Sequence, residues 1–163
     1  MVRHACAGHK GDWAGGPDDE RPLDPAGRQQ AEALAEILAA EGPTRLVASP
    51  TRRCLDTLAP LGETLGLVIE TEPALRETTG VGLVRLLAAD ACAGAAVCTH
   101  GEVMEPALAL LRTAGLEVVD DVSDEDLLLK GAAWRLDPAP PGWRLELVAP
   151  IPLASCPHHD GPR

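Results

Sequence analysis

The sequence contains no phenylalanine, no tyrosine and only three tryptophans. It also has no excess of positive charge, because 25 Asp and Glu residues outnumber 14 Lys and Arg residues and give a net charge of −11. Proteins that bind nucleic acids usually present a basic face, and single strands stack on aromatic side chains. These two absences argue against nucleic acid as a partner.

Long hydrophobic segments are absent as well. No apolar run reaches the roughly 18 residues that a membrane span needs. Met1 is followed by Val2, Arg3 and His4 rather than by a hydrophobic signal region. We therefore expect neither a membrane partner nor export.

Paired cysteines are also missing from the sequence pattern. The number of cysteines is odd and no two have C-x-x-C spacing, so the pattern predicts neither a disulfide framework nor a zinc site. Free thiols suit a reducing compartment, so the expected location is the cytoplasm. The five residues are Cys6, Cys54, Cys92, Cys98 and Cys156.

Helix and strand signals alternate along the chain. The length of 163 residues favours one domain, which we predict over 1–152, with a disordered, proline-rich tail at 153–163. Asp24 and Pro25 predict the start of the clearest helix, and Pro60 should bend or shorten the second one. Predicted strands end at Val2 and cover 46–48, 67–69, 95–99, 132–136 and 143–148, and further helices are expected at 81–91 and 102–113.

This alternation predicts an α/β fold, with three α/β/α layers and a mostly parallel central sheet. Ligands of such sheets bind at the carboxyl ends of the strands. The residues that follow three predicted strands are Arg3-His4, the segment 49–53 and His100-Gly101. The pattern therefore gathers two histidines and several arginines at one edge of the sheet.

Imidazole and guanidinium groups together favour phosphoryl transfer. A neutral imidazole nitrogen attacks phosphorus and divides hydrolysis into two easier steps. Guanidinium groups bind phosphate oxygens in pairs and match the charge of the transition state. This chemistry requires no cofactor and no metal, and we predict none.

Three segments of the sequence resemble the motifs of the histidine phosphatase superfamily, which includes the phosphoglycerate mutases. They are Val2-Arg3-His4-Ala5, the segment 49–54 with Thr57 after it, and Cys98-Thr99-His100-Gly101. The Arg21-Pro22-Leu23 segment before Gly27 is typical of the small SixA-type phosphohistidine phosphatases. It is also similar to the phosphatase-like domain found behind some Nudix hydrolases. The resemblance implies a phosphoglycerate mutase-like fold.

The resemblance also implies a role for each matching residue. His4 would be the nucleophile, and Arg3, Arg53 and His100 would bind the phosphoryl group. Arg53 is preferred over Arg52 because a small residue follows it. The other implied residues are Arg21 as a further phosphate contact and Glu77 as the proton donor, for which Glu102 is the competing acid.

Several functions are compatible with these residues. The leading hypothesis is a metal-independent phosphatase that hydrolyses a phosphomonoester or a phosphohistidine through a phospho-His4 intermediate. The alternative is a non-catalytic module that binds a phosphorylated ligand or regulates a partner. A mutase is less favoured, because the chain has no long insertion to form a lid. The expected partner is a small phosphorylated substrate or a phosphoprotein, with a Nudix hydrolase as a further candidate.

Overall fold

The computed structural model describes residues 1–149, and of Ala149 the backbone alone. The tail predicted at 153–163 lies outside these residues. Three short 3-10 helices, Lys10–Asp12, Asp18–Glu20 and Pro73–Arg76, lie in the loops. The regular elements are β1 (Val2–Arg3), α1 (Pro25–Ala40), β2 (Arg45–Ala48), α2 (Arg52–Leu65), β3 (Ile69–Thr71), α3 (Val81–Ala88), β4 (Ala95–Thr99), α4 (Gly101–Thr113), β5 (Leu116–Val118), α5 (Asp124–Leu127), β6 (Ala133–Ala139) and β7 (Gly142–Ala149).

The strands form one sheet in the order β3-β2-β4-β1-β6-β7-β5. Strand β6 runs antiparallel to β1 and to β7, whereas the other neighbouring pairs are parallel. The prediction of a mostly parallel sheet is therefore confirmed. The two strands predicted at 132–136 and 143–148 are also confirmed as β6 and β7, which pair with each other in antiparallel orientation.

Helices cover both faces of the sheet. Leu46 and Ala48 of β2 pack in one apolar cluster with residues of α1 and α2. Val47, which points to the opposite face, packs with Leu83 of α3 and Val103 of α4. The two clusters lie on either side of the sheet, so the three-layer α/β/α architecture is confirmed.

One local prediction is wrong, and a second is wrong in one of its two alternatives, since of a bend or a shortening at Pro60 the shortening is excluded. The third strand was predicted at 67–69, but β3 covers Ile69–Thr71 and Val68 is 84% exposed. The reason is that Gly66 ends α2 with a positive φ of 66°, and the N–H of Leu67 then bonds back to the carbonyl of Gly62. Pro60 does not shorten α2, which continues to Leu65 because its apolar side stays packed against the sheet.

The prediction of free thiols holds for three cysteines and is wrong for one. Cys54, Cys92 and Cys98 are free, whereas Cys6 is disulfide-bonded. An odd number of cysteines excludes complete pairing and still permits one pair. Among residues 1–149, no helix has both the length and the apolar character that crossing a membrane requires.

Helix α1 begins as the sequence predicts. Asp24 accepts a hydrogen bond from the N–H of Gly27 at 2.7 Å, and Pro25 occupies the first turn. A Cβ atom on Gly27 would lie 1.8 Å from the carbonyl oxygen of Cys6. Glycine at 27 therefore lets the start of α1 rest on the segment that follows His4.

Gly27→Ala should destabilise the fold by at least about 3 kcal/mol, because backbone atoms on both sides would have to separate. Gly62→Ala is the matched control, since its Cβ would lie 3.0 Å from a carbonyl of Leu67. It should change the unfolding free energy by about 1 kcal/mol or less. Urea denaturation of the two variants measures the difference, and equal stabilities would contradict the close approach at Gly27.

Candidate active site

His4 is held at the carboxyl end of β1 by backbone hydrogen bonds. Its N–H donates to the carbonyl of Thr99 at 2.9 Å. Its side-chain Nδ1 lies 2.8 Å from the carbonyl oxygen of Ala5. Because a carbonyl can only accept, Nδ1 carries the hydrogen and Nε2 keeps its lone pair. The imidazole is therefore held as a tautomer that can act as a nucleophile.

The hydroxyl of Thr57 supports this arrangement from α2. It accepts a hydrogen bond from the N–H of Ala5 at 3.0 Å and donates to the carbonyl of Arg53 at 2.7 Å. Thr57 is only 2% exposed. One buried hydroxyl thus connects the backbone beside the nucleophile to the first turn of α2, which carries Arg53.

His100 comes from the end of β4 and lies opposite His4. The centroids of the two rings are 5.3 Å apart and their planes meet at 66°. Nε2 of His100 lies 2.8 Å from Oγ of Ser49 and 3.7 Å from Sγ of Cys54. Its Nδ1 is buried and has no hydrogen-bond partner among residues 1–149.

The electrostatics keep His4 uncharged. Burial lowers its pKa first, and the proximity of His100 and the charges of Arg53 and Arg3 lower it further, while the hydrogen bond to Ala5 raises it less. The result is a pKa well below the usual value of 6.5. At neutral pH the imidazole therefore has a lone pair available.

Two buried arginines, Arg53 and Arg21, both contact Asp18, and the charge of Arg53 acts on His4. Arg53 is 5% exposed, and its Nη1 donates to the backbone carbonyl of Asp18 at 2.9 Å. The Nε of Arg53 is buried without a partner in the described part of the chain. Arg21 donates from Nε to the carboxylate of Asp18 at 2.8 Å and from Nη1 to the carbonyl of Ala7 at 2.7 Å.

Arg3 reaches the same region from β1. Its Nη1 donates to the carbonyl of Leu128, and a Cβ on Gly101 would lie 2.8 Å from its guanidinium carbon. Glycine after His100 therefore leaves space for this guanidinium group. Arg52, by contrast, lies on the exposed face of α2 and pairs with Asp56 at 2.7 Å.

The predicted proton donors are not joined to the histidines. Glu77 is exposed and follows the 3-10 helix Pro73–Arg76, and its carboxylate lies against Gly82 of α3. Glu102 is exposed in the first turn of α4. No hydrogen bond or ion pair among the described residues connects either acid to His4 or His100. The role of Glu77 stays a prediction.

Asp18 is the residue that the sequence analysis missed. It bridges Arg21 and Arg53, although only its i, i+3 spacing from Arg21 could have signalled a contact.

A cavity of about 350 Å3 lies at the opposite end of the sheet, where its lining includes Met1, Ala95 and Leu136. That cavity is lined by none of the predicted site residues.

Residues 1–82, half of the chain, match the family model of the histidine phosphatase superfamily (branch 1). The chain belongs to the histidine phosphatase superfamily. Two curated relatives of the chain are phosphatases. The 8-oxo-(d)GTP phosphatase of Mycolicibacterium smegmatis is 46% identical over 77 residues, which are 47% of this chain and 24% of that protein.

The second curated relative is the glucosyl-3-phosphoglycerate phosphatase of Mycobacterium tuberculosis. It is 46% identical over 56 residues, which are 34% of this chain and 25% of that protein. The chain therefore spans about a quarter of the length of the curated relatives it matches.

Solved structures agree with the fold. The protein histidine phosphatase SixA complexed with tungstate aligns with a TM-score of 0.63 and 22% identity, over 92% of this chain and 93% of that one. A mycobacterial glucosyl-3-phosphoglycerate phosphatase with inorganic phosphate aligns with a TM-score of 0.61 and 21% identity, over 96% of each chain. At these identities the likeness establishes a phosphoglycerate mutase-like architecture and nothing finer.

Thr57→Val should lower kcat about tenfold or more, because it leaves the N–H of Ala5 without an acceptor and loosens the backbone that orients His4. Leaving this buried N–H without an acceptor should also lower the free energy of unfolding by about 1–3 kcal/mol. Thr57→Ser keeps the hydroxyl and is the control. Steady-state kinetics on an aryl phosphate compares the two variants. Equal kcat values would contradict a role of the Thr57 hydroxyl in orienting His4.

The pKa of His4 predicts how its imidazole titrates. In denaturant the pKa of His4 should be about 6.5, whereas in the folded protein it should lie well below that value. The unfolded state therefore takes up the proton first, so the unfolding free energy should fall as the pH drops below about 6.5. Nitrogen NMR of the imidazole resonances measures both titrations, and a folded-state value at or above that of the unfolded chain would contradict the analysis.

Proposed function

We propose that this histidine phosphatase superfamily member is a metal-independent phosphatase that hydrolyses a phosphomonoester or a phosphohistidine through a phospho-His4 intermediate. The observation that supports this proposal most is a pair of buried nitrogen atoms without partners, of which Nε of Arg53 is always a donor. Nε of Arg53 and Nδ1 of His100 both lack a hydrogen-bond partner among residues 1–149. Buried polar groups are almost always paired, so the unpaired guanidinium donor of Arg53 beside the nucleophile favours an anion as its missing acceptor.

The proposed reaction uses two displacements at phosphorus. Nε2 of His4 forms a bond to phosphorus while the bond to the leaving oxygen, or to the leaving nitrogen of a phosphohistidine, breaks, and an acid protonates the leaving atom. Water then attacks the phosphorus of phospho-His4 and gives a proton back to the conjugate base of that acid, while the P–N bond breaks, phosphate leaves and the lone pair returns to Nε2. Throughout, the Nδ1–H of His4 stays bonded to the carbonyl of Ala5, which stabilises the positive charge that the ring gains.

The roles of the surrounding groups follow from their charge. Arg3, Arg53 and His100 would hold the phosphoryl oxygens, and Arg21 would add a further contact. Glu77 is proposed as the acid, which requires substrate or a shift of its loop to bring it to the leaving oxygen. A hydrogen bond from Oγ1 of Thr99 to the carbonyl of Leu75 at 2.6 Å joins the segment before Glu77 to the end of β4.

A non-catalytic phospholigand module is the second candidate. The observation in its favour is that Glu77 is exposed and does not contact either histidine. Such a module would bind phosphate with the same arginines and would not form a bond to His4. Formation of a covalent intermediate therefore separates the two functions.

Substrate, partner and location are parts of the same proposal. The names of the relatives, an 8-oxo-(d)GTP phosphatase and a glucosyl-3-phosphoglycerate phosphatase, support a phosphorylated small molecule, and a phosphoprotein is the alternative. A Nudix hydrolase stays a proposed partner on the sequence resemblance alone. The proposed cytoplasmic location is supported by the three free thiols and opposed by the disulfide at Cys6.

The decisive experiment is to trap the intermediate in the presence of a chelator. Wild-type protein is mixed with labelled phosphohistidine protein or with an aryl phosphate and quenched with alkali, which preserves phosphohistidine. We expect label on His4 and turnover in the wild type, and loss of both by at least about 1,000-fold in His4→Ala.

Arg52→Ala is the matched control, because Arg52 is exposed and lies next to Arg53 without facing the site. It should retain wild-type turnover, whereas Arg53→Ala should not. Tight phosphate binding by the wild type without label on His4 would support the binding module instead. Turnover that survives in His4→Ala would exclude His4 as the nucleophile.

A further inference from the structure

Two free thiols contact each other beside the candidate active site and have no part in the proposed reaction. Cys54 lies in the first turn of α2 and Cys98 lies in β4, and both pack in the apolar cluster between that helix and the sheet. Neither forms a disulfide, and both are 0% exposed. The thiol of Cys98 donates a hydrogen bond to the sulfur of Cys54. Two sulfur atoms from distant parts of the sequence therefore face each other.

Each of these thiols also contacts a residue that supports one of the two histidines. Sγ of Cys54 lies 3.7 Å from Nε2 of His100. Cys98 shares a side-chain hydrogen bond with Thr57, and the hydroxyl of Thr57 accepts from the backbone N–H beside His4. A chemical change at the two sulfur atoms would therefore act on both sides of the site.

The two thiols differ in acidity. Burial alone would raise the pKa of Cys54, but hydrogen bonds from Cys98 and His100 outweigh the burial and lower that pKa. Burial raises the pKa of Cys98 well above its usual value, and the neighbouring Cys54 raises it further. Cys54 is therefore the thiolate of the pair and Cys98 the thiol, and a thiolate is the form of cysteine that reacts with oxidants.

We propose that Cys54 and Cys98 are a peroxide-sensitive modification site, at which a reversible disulfide inactivates the neighbouring active site. The thiolate of Cys54 attacks one oxygen of hydrogen peroxide, so that an S–O bond forms, the O–O bond breaks and hydroxide takes up a proton and leaves as water. The sulfur of Cys98 then attacks this sulfenic acid and loses its proton, and the hydroxyl group leaves as a second water. Two electrons pass from the two thiols to one peroxide.

Burial limits the oxidants that can reach the pair. Because both sulfur atoms are fully buried, an oxidant reaches Cys54 only while the structure opens locally. Hydrogen peroxide is small and uncharged and can enter through such an opening. The reaction is therefore slower than that of an exposed thiol, and it selects a small oxidant.

A disulfide at this place would displace the groups that hold the substrate. Its sulfur atoms lie about 2.05 Å apart, so the first turn of α2 and the end of β4 must move from the separation of a hydrogen-bonded pair. Arg53 directly precedes Cys54, and His100 follows Cys98 by two residues. A displacement of about 1 Å can lower a rate about 100-fold. This loss of activity rests on the proposed function, whereas formation of the disulfide does not.

The test maps the disulfide and measures its effect in the full chain. Wild-type protein is treated with hydrogen peroxide, the remaining thiols are alkylated, and peptides are analysed by mass spectrometry without reduction. We expect a peptide that links Cys54 to Cys98 and a fall in aryl phosphate turnover of at least about tenfold. Dithiothreitol should remove the linked peptide and restore turnover. Calorimetry with inorganic phosphate should show a Kd at least about tenfold higher in the oxidised protein.

Three serine variants separate this pair from the other cysteines. Cys54→Ser and Cys98→Ser should each keep, after peroxide, the turnover that they had before it. Cys92→Ser is the matched control, because Cys92 is a free and half-buried thiol that packs in a different cluster, and it should lose turnover as the wild type does. All three variants retain Cys6, so they also control for effects of the treatment on its disulfide.

The outcomes that would overturn the inference are distinct from those that test the proposed function. Absence of the linked peptide from peroxide-treated wild type would exclude the modification site. A linked peptide without any change in turnover or phosphate binding would exclude inactivation, as would equal losses in the wild type, Cys54→Ser and Cys98→Ser. The peptide map requires neither a folded variant nor catalysis, so it still decides the modification if no phospho-His4 is trapped.

Discussion

The hydrogen bond between Nδ1 of His4 and the carbonyl of Ala5 is the contact on which the site depends. It fixes the tautomer and therefore decides which ring nitrogen is free to attack phosphorus. The carbonyl can only be in place if the backbone after β1 is rigid, and that backbone is held by Thr57 on one side and by the start of α1 on the other. A long-range set of contacts thus supports a bond between neighbouring residues.

The topology of the sheet explains how so few contacts suffice to place His4 and His100 side by side. Strand β1 is only two residues long, yet it lies between β4 and β6 and so is paired on both sides. Because β1 and β4 are parallel, both deliver a histidine to the same edge of the sheet. The distance of 5.3 Å between the two rings follows from the spacing of paired strands.

Much of this could be predicted from the sequence, and the residues show why. His4 and His100 each follow a short apolar strand, so the rule that sites lie at strand ends was enough to bring them together. The bounds of β4 and the cap of α1 were equally predictable, since apolar runs and Asp-Pro pairs are local signals. The prediction misplaced strand β3 because Leu67 and Val68, which are apolar enough for a strand, belong to the turn that follows Gly66. Asp18 was missed because its importance lies in a contact with Arg53, 35 residues away, which no local pattern encodes.

The position of the charges explains how an acidic protein can form an anion site. The net charge of −11 belongs to the whole chain, and exposed charges are screened beyond about 8–10 Å. Inside the site, the charges of Arg53 and Arg3 act on the buried His4 at short range and lower its pKa, although the protein as a whole is acidic.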